Sequence, residues 1–160
     1  MDMMRLYEAF KKSEGVSTDT RSIKPGQLFV ALSGPNFNAN RFAKQALEKG
    51  ATAAVVDNAE FAAGEHYILV DDCLKALQGL ANHHRNQLDC TVIAICGSNG
   101  KTTSKELTSA VLNSHFNTFF TPGNFNNHIG VPLSLLMLTA EHEYAIIEMG
   151  ANHKGEHELL

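Results

Sequence analysis

The chain has 160 residues, 44% of them hydrophobic, enough to build a core for one ordinary domain or two small ones. A formal net charge of −4 leaves none of the basic surface that a nucleic-acid partner demands, and no run approaches the roughly 18 apolar residues of a membrane span. Residues 1–5 do not begin an apolar signal segment, and Cys73, Cys90 and Cys96 are scattered without a Cys-x-x-Cys pair, so the expectation is a cytoplasmic protein with free thiols and neither disulfides nor a zinc site.

In chain order, Leu6, Tyr7 and Phe10 stand at helical spacing and predict a short amphipathic helix over 1–12. Val16-Ser17-Thr18-Asp19-Thr20-Arg21 follows as a polar strand or loop, crowding hydroxyls, a carboxylate and a guanidinium together. Lys24-Pro25-Gly26 has the composition of a type II turn, and 28–32 reads as a buried strand. Residues 33–40 read as a loop, with Asn40 placed as the N-cap of a helix over 41–49 that Gly50 closes. Two apolar strands, 53–57 and 67–70, make the first half α/β. Leu74, Leu77, Leu80 and Ala81 share one face of a helix over 73–86. The expected boundary lies at 87–90, dividing the chain into a domain over 1–88 and another over 89–160.

Residues 91–96 form a short run rich in β-branched side chains, and Gly97-Ser98-Asn99-Gly100-Lys101-Thr102-Thr103 follows at once. A buried strand feeding a phosphate-binding loop and then a helix explains that arrangement. Gly97 and Gly100 can adopt backbone angles closed to other residues, turning N–H groups toward a phosphate chain. The helix starting near Thr102 adds the positive end of its dipole. Lys101 would meet the β- and γ-phosphates, and the Thr102 hydroxyl would ligate magnesium. The usual Gly-x4-Gly-Lys-Ser/Thr spacing needs glycine at 95, where Ile95 stands, so this loop is tighter. An ordinary strand-turn-helix corner with a solvated Lys101 is the competing account, and the flanking strand and helix weigh against it.

A helix over 103–113 and a strand over 118–121 come next, followed by an amide-dense loop, 122–130, and a helix opened by Pro132. The core strand 144–149 carries Glu148 at its end. Parallel sheets bind ligands at the carboxyl ends of their strands, so Cys96–Gly97, Thr121–Pro122 and Glu148–Met149 are expected to open onto one crevice. A carboxylate ending an apolar strand beside a phosphate loop is where a metal ligand is needed; a strand-end charge in water is the alternative for Glu148. Asn124, Asn126 and Asn127 suit turn formation as well as ligand contact, and His153 suits metal, phosphate or solvent. Residues 158–160 read as the start of a helix, and three strands are few for a nucleotide-binding sheet, so a piece of a longer protein is expected.

With these residues in hand the sequence resembles the Mur ligase family, the ATP-dependent amide-forming enzymes of peptidoglycan precursor synthesis. The likeness runs through Asp-Thr-Arg (19–21), Pro-Gly-x-Leu-Phe-Val-Ala-Leu (25–32), Gly-Ser-Asn-Gly-Lys-Thr (97–102), Gly-Asn-Phe-Asn-Asn-His-Ile-Gly-Val-Pro (123–132) and Glu-Met-Gly-Ala-Asn-His-Lys-Gly-Glu (148–156). The last two blocks are similar to the member that adds D-Ala-D-Ala to UDP-N-acetylmuramoyl-tripeptide, through an acyl phosphate, rather than to the preceding tripeptide-forming one. The resemblance implies a small N-terminal α/β substrate domain followed by the start of a P-loop-type parallel-sheet ATP-binding domain. It implies that Thr18, Asp19, Thr20 and Arg21 lie near the uridine diphosphate, and a guanidinium does suit a diphosphate. Taken alone, those residues read more simply as a surface turn with Asp19 paired to Arg21. The resemblance further implies that Gly97, Ser98, Asn99, Gly100, Lys101, Thr102 and Thr103 cradle ATP, that Thr102 and Glu148 hold Mg2+, and that Lys101 and Glu148 serve catalysis. Asn126 would face nucleotide, and Asn126 and Asn127 nucleotide or substrate. A monomer is expected, with a second-metal lysine and the amine-binding domain lying past Leu160 and these 160 residues inactive alone. Two departures stand out: Cys96 where relatives often have threonine, and Asn38-Ala39-Asn40-Arg41 in place of an Asp-Gly-His type of turn.

Three other functions fit the same residues. A sibling ligase would add a diamino acid or glutamate; a P-loop kinase or nucleotide switch would carry the N-terminal unit as an accessory; and a non-catalytic sugar-nucleotide module would keep the phosphate loop as a relic.

Overall fold

A computed structural model describes residues 2–150. The chain divides into two compact units, Met1–Leu80 and Ala81–Leu160.

In the first unit, α1 (Met3–Lys11) is capped by Asp2, whose carboxylate accepts from the Arg5 amide, and it buries Leu6 and Phe10. Strands β1 (Val16–Ser17), β2 (Leu28–Val30), β5 (Ala53–Val56) and β6 (Tyr67–Leu69) form a wholly parallel sheet in the order β1-β2-β5-β6. The two central strands are buried at every position, which is why their sequence is a continuous apolar run rather than an alternating one. Each fully buried Leu, Val or Phe there is worth about 1.5–3 kcal/mol. At the expected type II turn, Gln27 N–H reaches the Lys24 carbonyl and Gly26 holds φ +86°. Helix α2 (Ala43–Glu48) ends at Gly50, φ +94°, where a Cβ would press on Pro25 at 3.0 Å.

Two local expectations are corrected here. Residues 33–40 are not a plain loop: β3 (Ser33–Gly34) pairs antiparallel with β4 (Phe37–Asn38), and a 3-10 turn, Ala39–Phe42, precedes α2. Asn40 is not the cap: Asn38 caps the 3-10 turn, accepting from the Asn40 amide at 3.0 Å, and Phe42 precedes α2 without a side-chain cap. The Asn40 carboxamide, 2% exposed, instead crosses to Asp57, donating to Oδ1 at 2.7 Å and accepting from the Asp57 amide at 3.0 Å. The other Asp57 oxygen receives the Cys73 amide at 3.1 Å at the start of α3 (Cys73–Arg85), while Asp72 accepts the Lys75 amide of the same first turn at 2.9 Å. Burial and the nearby Asp57 charge push the Cys73 thiol far above its ordinary range. A pairing across 17 residues leaves no mark on local composition.

In the second unit, β7 (Thr91–Cys96), α4 (Lys101–Leu112), β8 (Thr118–Phe120), α5 (Gly130–Leu135) and β9 (Tyr144–Met149) form a parallel α/β layer with strand order β7-β9-β8. The last strand in sequence is therefore the middle of the sheet, with Ile95 opposite Glu148 and Phe120 opposite Ile146. Ala145 and Ile147 pack with Cys90, Val131 and Leu138 in its core. Strand β7 was expected to be buried; Thr91, Ala94 and Cys96 are exposed, because β9 flanks one edge and no strand among the described residues flanks the other. His84 is buried, its Nε2 at 2.9 Å from the Leu138 carbonyl.

Candidate functional site

The parallel register sends the ends of all three strands of the second unit to one side of the sheet, and the loop after β7 turns there on two glycines. Gly97 takes φ +142° and Gly100 φ +76°, angles that L side chains rarely adopt. Gly100 is the N-cap of α4 and supplies no side-chain cap, so the first-turn amides of a 12-residue helix end at an exposed corner without a local acceptor. Those amides and the helix dipole favour an anion. Ser98 and Asn99 ride on this exposed loop, and Thr103 lies exposed on the first turn. The Lys101 ammonium donates to the Gly97 carbonyl at 2.8 Å, closing the loop on itself.

Glu148 ends the central strand and is 2% exposed. A buried carboxylate is costly unless each oxygen is met, and here each is. The Thr102 hydroxyl donates to Oε2 at 3.2 Å, and the Asn126 amide donates to Oε1 at 2.8 Å. Its backbone N–H donates to Thr121 Oγ1 at 2.9 Å, tying the end of β9 to the residue after β8. Lys101 precedes Thr102 on α4, so the loop lysine and the carboxylate belong to one corner of one unit. These contacts join the start of α4, Thr121 and Glu148 on the side of the sheet where the crevice was expected.

Whether these groups suit magnesium can be tested on spacing. Neighbouring ligands of an octahedral ion with bonds of roughly 2.0–2.1 Å stand about 2.9 Å apart. Thr102 Oγ1 and Glu148 Oε2 are 3.2 Å apart, so a hard divalent cation could take both with a small adjustment. A hydroxyl and a carboxylate oxygen are also the donor types it prefers.

The amide loop behaves in two ways. Asn126 points its side-chain amide at Glu148, while its backbone carbonyl accepts the Gly150 N–H at 2.6 Å. The Asn127 carboxamide oxygen accepts from Ile129 and Gly130 N–H at 3.1 and 2.8 Å, holding the turn into α5. Gly130 permits that turn: a Cβ there would lie 2.5 Å from the Phe125 backbone. His153 lies outside the described residues.

Sequence reasoning passed over Lys105. It is 2% exposed and sends Nζ to the Thr121 carbonyl at 3.0 Å and the Gly123 carbonyl at 3.5 Å, with Glu148 Oε2 at 3.7 Å.

In the first unit, Thr18, Asp19, Thr20 and Arg21 line a cavity of about 500 Å³ together with Phe37, Phe42 and Lys49. Phe37 and Phe42 stack at 5.8 Å. Arg21 Nε lies 3.0 Å from both Asp19 oxygens and Nη2 lies 2.6 Å from Oδ2, and this guanidinium is the main cause that lowers the Asp19 carboxyl to about 2. Lys49 Nζ donates to the Thr20 carbonyl at 2.6 Å.

Two family models match the chain: the Mur ligase family catalytic domain over residues 12–85 and the Mur ligase middle domain over 95–160. The UDP-N-acetylmuramoyl-tripeptide--D-alanyl-D-alanine ligase of Escherichia coli is 48% identical over 89% of this chain and 31% of its own length, and that of Bacillus subtilis 45% identical over 91% and 32%. Among solved structures, MurF from Acinetobacter baumannii superposes with a TM-score of 0.84 at 35% identity, covering 98% of this chain and 37% of that one. MurF ligase from Thermotoga maritima in complex with ADP gives 0.81 at 30% identity, covering 92% and 34%. The chain spans about a third of the length of these relatives.

Proposed function

The chain belongs to the Mur ligase family, and we propose that it forms the uridine-nucleotide and ATP sites of an enzyme that joins D-Ala-D-Ala to UDP-N-acetylmuramoyl-tripeptide. Residues 1–88 serve as the substrate domain, and 89–160 as the first part of the ATP-binding domain. The observation that carries this reading is the meeting of Thr102 and Asn126 on the buried Glu148 carboxylate, beside a glycine corner that opens a helix. The relatives named above supply the choice of amine.

A carboxylate and an amine at neutral pH form a salt, so the carboxylate must first be activated. A carboxylate oxygen of the tripeptide attacks the γ-phosphorus of ATP, ADP leaves, and an acyl phosphate results. The D-Ala-D-Ala amine then attacks the acyl carbon, loses a proton and expels phosphate, leaving the amide. Negative charges converge in the first step, so the protein's task is alignment and electrostatic stabilisation rather than nucleophilic attack. Lys101 exchanges the Gly97 carbonyl for β- and γ-phosphate oxygens, while the first-turn amides of α4 hold the phosphate chain. Mg2+ held by Thr102 and Glu148 would draw charge from the transferring phosphoryl group. In the first unit, Arg21 offers a guanidinium to the diphosphate, and the Phe37–Phe42 pair offers an apolar wall.

Phosphate release by the full-length protein tests this reading. It should require UDP-N-acetylmuramoyl-tripeptide, ATP and D-Ala-D-Ala together, and it should stay at background with glutamate or a diamino acid as the amine. Release with those amines would establish a sibling ligase. Failure to bind the uridine-linked peptide, with ATP turnover intact, would favour the kinase or switch reading.

A further inference from the structure

Lys105 is a charged side chain fully inside the second unit that the reaction above does not use. It leaves α4 one turn below the phosphate loop. Its ammonium lies 3.0 Å from the Thr121 carbonyl, 3.5 Å from the Gly123 carbonyl, 3.7 Å from Glu148 Oε2 and 3.5 Å from Glu106 Oε1. Three donors therefore face two backbone carbonyls and two carboxylates. The shortest contact is to the Thr121 carbonyl, so the lysine is anchored on the segment after β8 and presents its positive charge beside Glu148 Oε2, the oxygen that also accepts from Thr102. That segment leads directly to Asn126, whose amide holds the other Glu148 oxygen at 2.8 Å. Thr121 closes the circuit by accepting the Glu148 backbone N–H at 2.9 Å. One cation thus fastens the phosphate-loop helix, the 121–126 segment and the end of β9 to each other.

We propose that Lys105 is a positioning residue for the divalent-cation site, holding Glu148 and the Asn126 segment assembled so that the Glu148 carboxylate faces Thr102 before nucleotide arrives. The proposal rests on reading Thr102 and Glu148 as the metal ligands. Groups behind a ligand that fix its direction typically change metal affinity by about 10–100-fold when removed. The Lys105 ammonium bonds the segment after β8 and lies beside Glu148 rather than on the loop 97–100, so its loss should act through the ion and not through the loop.

The test compares the affinity of the full-length protein for a non-hydrolysable ATP analogue with Mg2+ and with EDTA. In Lys105→Met the gain in affinity from Mg2+ should shrink about tenfold, with the EDTA value within about twofold of the parent. Glu148→Gln is the control: if it leaves the Mg2+ gain intact, the metal-site reading itself falls. Loss of the gain in Glu148→Gln but not in Lys105→Met overturns the Lys105 proposal alone. Equal weakening of Lys105→Met with and without Mg2+ also overturns it, because that is the mark of a merely structural residue. Should Lys105→Met fail to fold, the double variant Lys105→Met/Glu148→Gln should recover a cooperative melt. A double variant no more stable than Lys105→Met would show that the lysine does not act on Glu148.

Discussion

The two units each present a charged cluster, and they are built in opposite ways. In the first, Asp19 and Arg21 are two residues apart, both exposed, and paired with each other along the chain. In the second, Glu148 is buried, and its partners Thr102, Thr121 and Asn126 lie 46, 27 and 22 residues away. An exposed pair between near neighbours is cheap to form and contributes little, since water competes for both charges. A buried carboxylate held from two other segments is costly to leave unmet, so its partners must all be present together. The first cluster can open at little cost, while the second stands preassembled.

That contrast predicts variants of graded severity. Lys101→Ala should lower phosphate release by about 10²–10³-fold while leaving affinity for the uridine-linked peptide unchanged, because it removes charge stabilisation in one unit only. Loss of both properties together would show that the two clusters are not separable.

Gly130→Ala should come next. The new Cβ would meet the Phe125 backbone at 2.5 Å and push away the segment that carries Asn126. We expect a stability loss of about 1–3 kcal/mol by chemical denaturation, with weaker Mg2+-dependent nucleotide binding. Normal Mg2+ dependence in this variant would sever the amide loop from the carboxylate. In the first unit, Asn40→Ala should cost about 1–3 kcal/mol by leaving Asp57 short of its partner, with no effect on nucleotide binding.

Arg21→Ala should have a smaller effect, weakening the uridine ligand about tenfold in calorimetric titration and barely moving the melting temperature at neutral pH. Its acid behaviour gives the sign. Asp19 is lowered from 3.8 to about 2, chiefly by its bonds from Arg21. The pairing therefore contributes stability above about pH 4, and that contribution is lost as pH falls toward 2. The parent and Arg21→Ala melting temperatures should differ by a small constant amount above pH 5 and converge by pH 2. A gap that widens in acid would contradict the assignment.

Composition and local pattern were enough to mark the glycine corner between β7 and α4, because glycine's angular freedom, a strand before and a helix after are all properties of neighbours along the chain; Gly97 and Gly100 take the positive φ values that a tight corner needs. The same holds for Gly50, for the Pro25–Gly26 turn and for the continuous apolar runs of β2 and β5. Glu148 was singled out because a carboxylate closing an apolar strand is out of place unless something meets it. Asn40 shows the opposite case: its sequence context reads as a cap, and its actual partner Asp57 cannot be inferred from neighbours. Lys105 looked like any helical lysine until the end of β8 was laid across it.

Sequence alone determined which residues were suited to phosphate and to a hard cation, since that depends on backbone freedom and donor chemistry carried by each residue. Only the tertiary structure decided which of them meet. The central place of β9 in its sheet, and with it the surroundings of Glu148, comes from pairing between strands far apart in the chain, and burial then makes every missing partner costly.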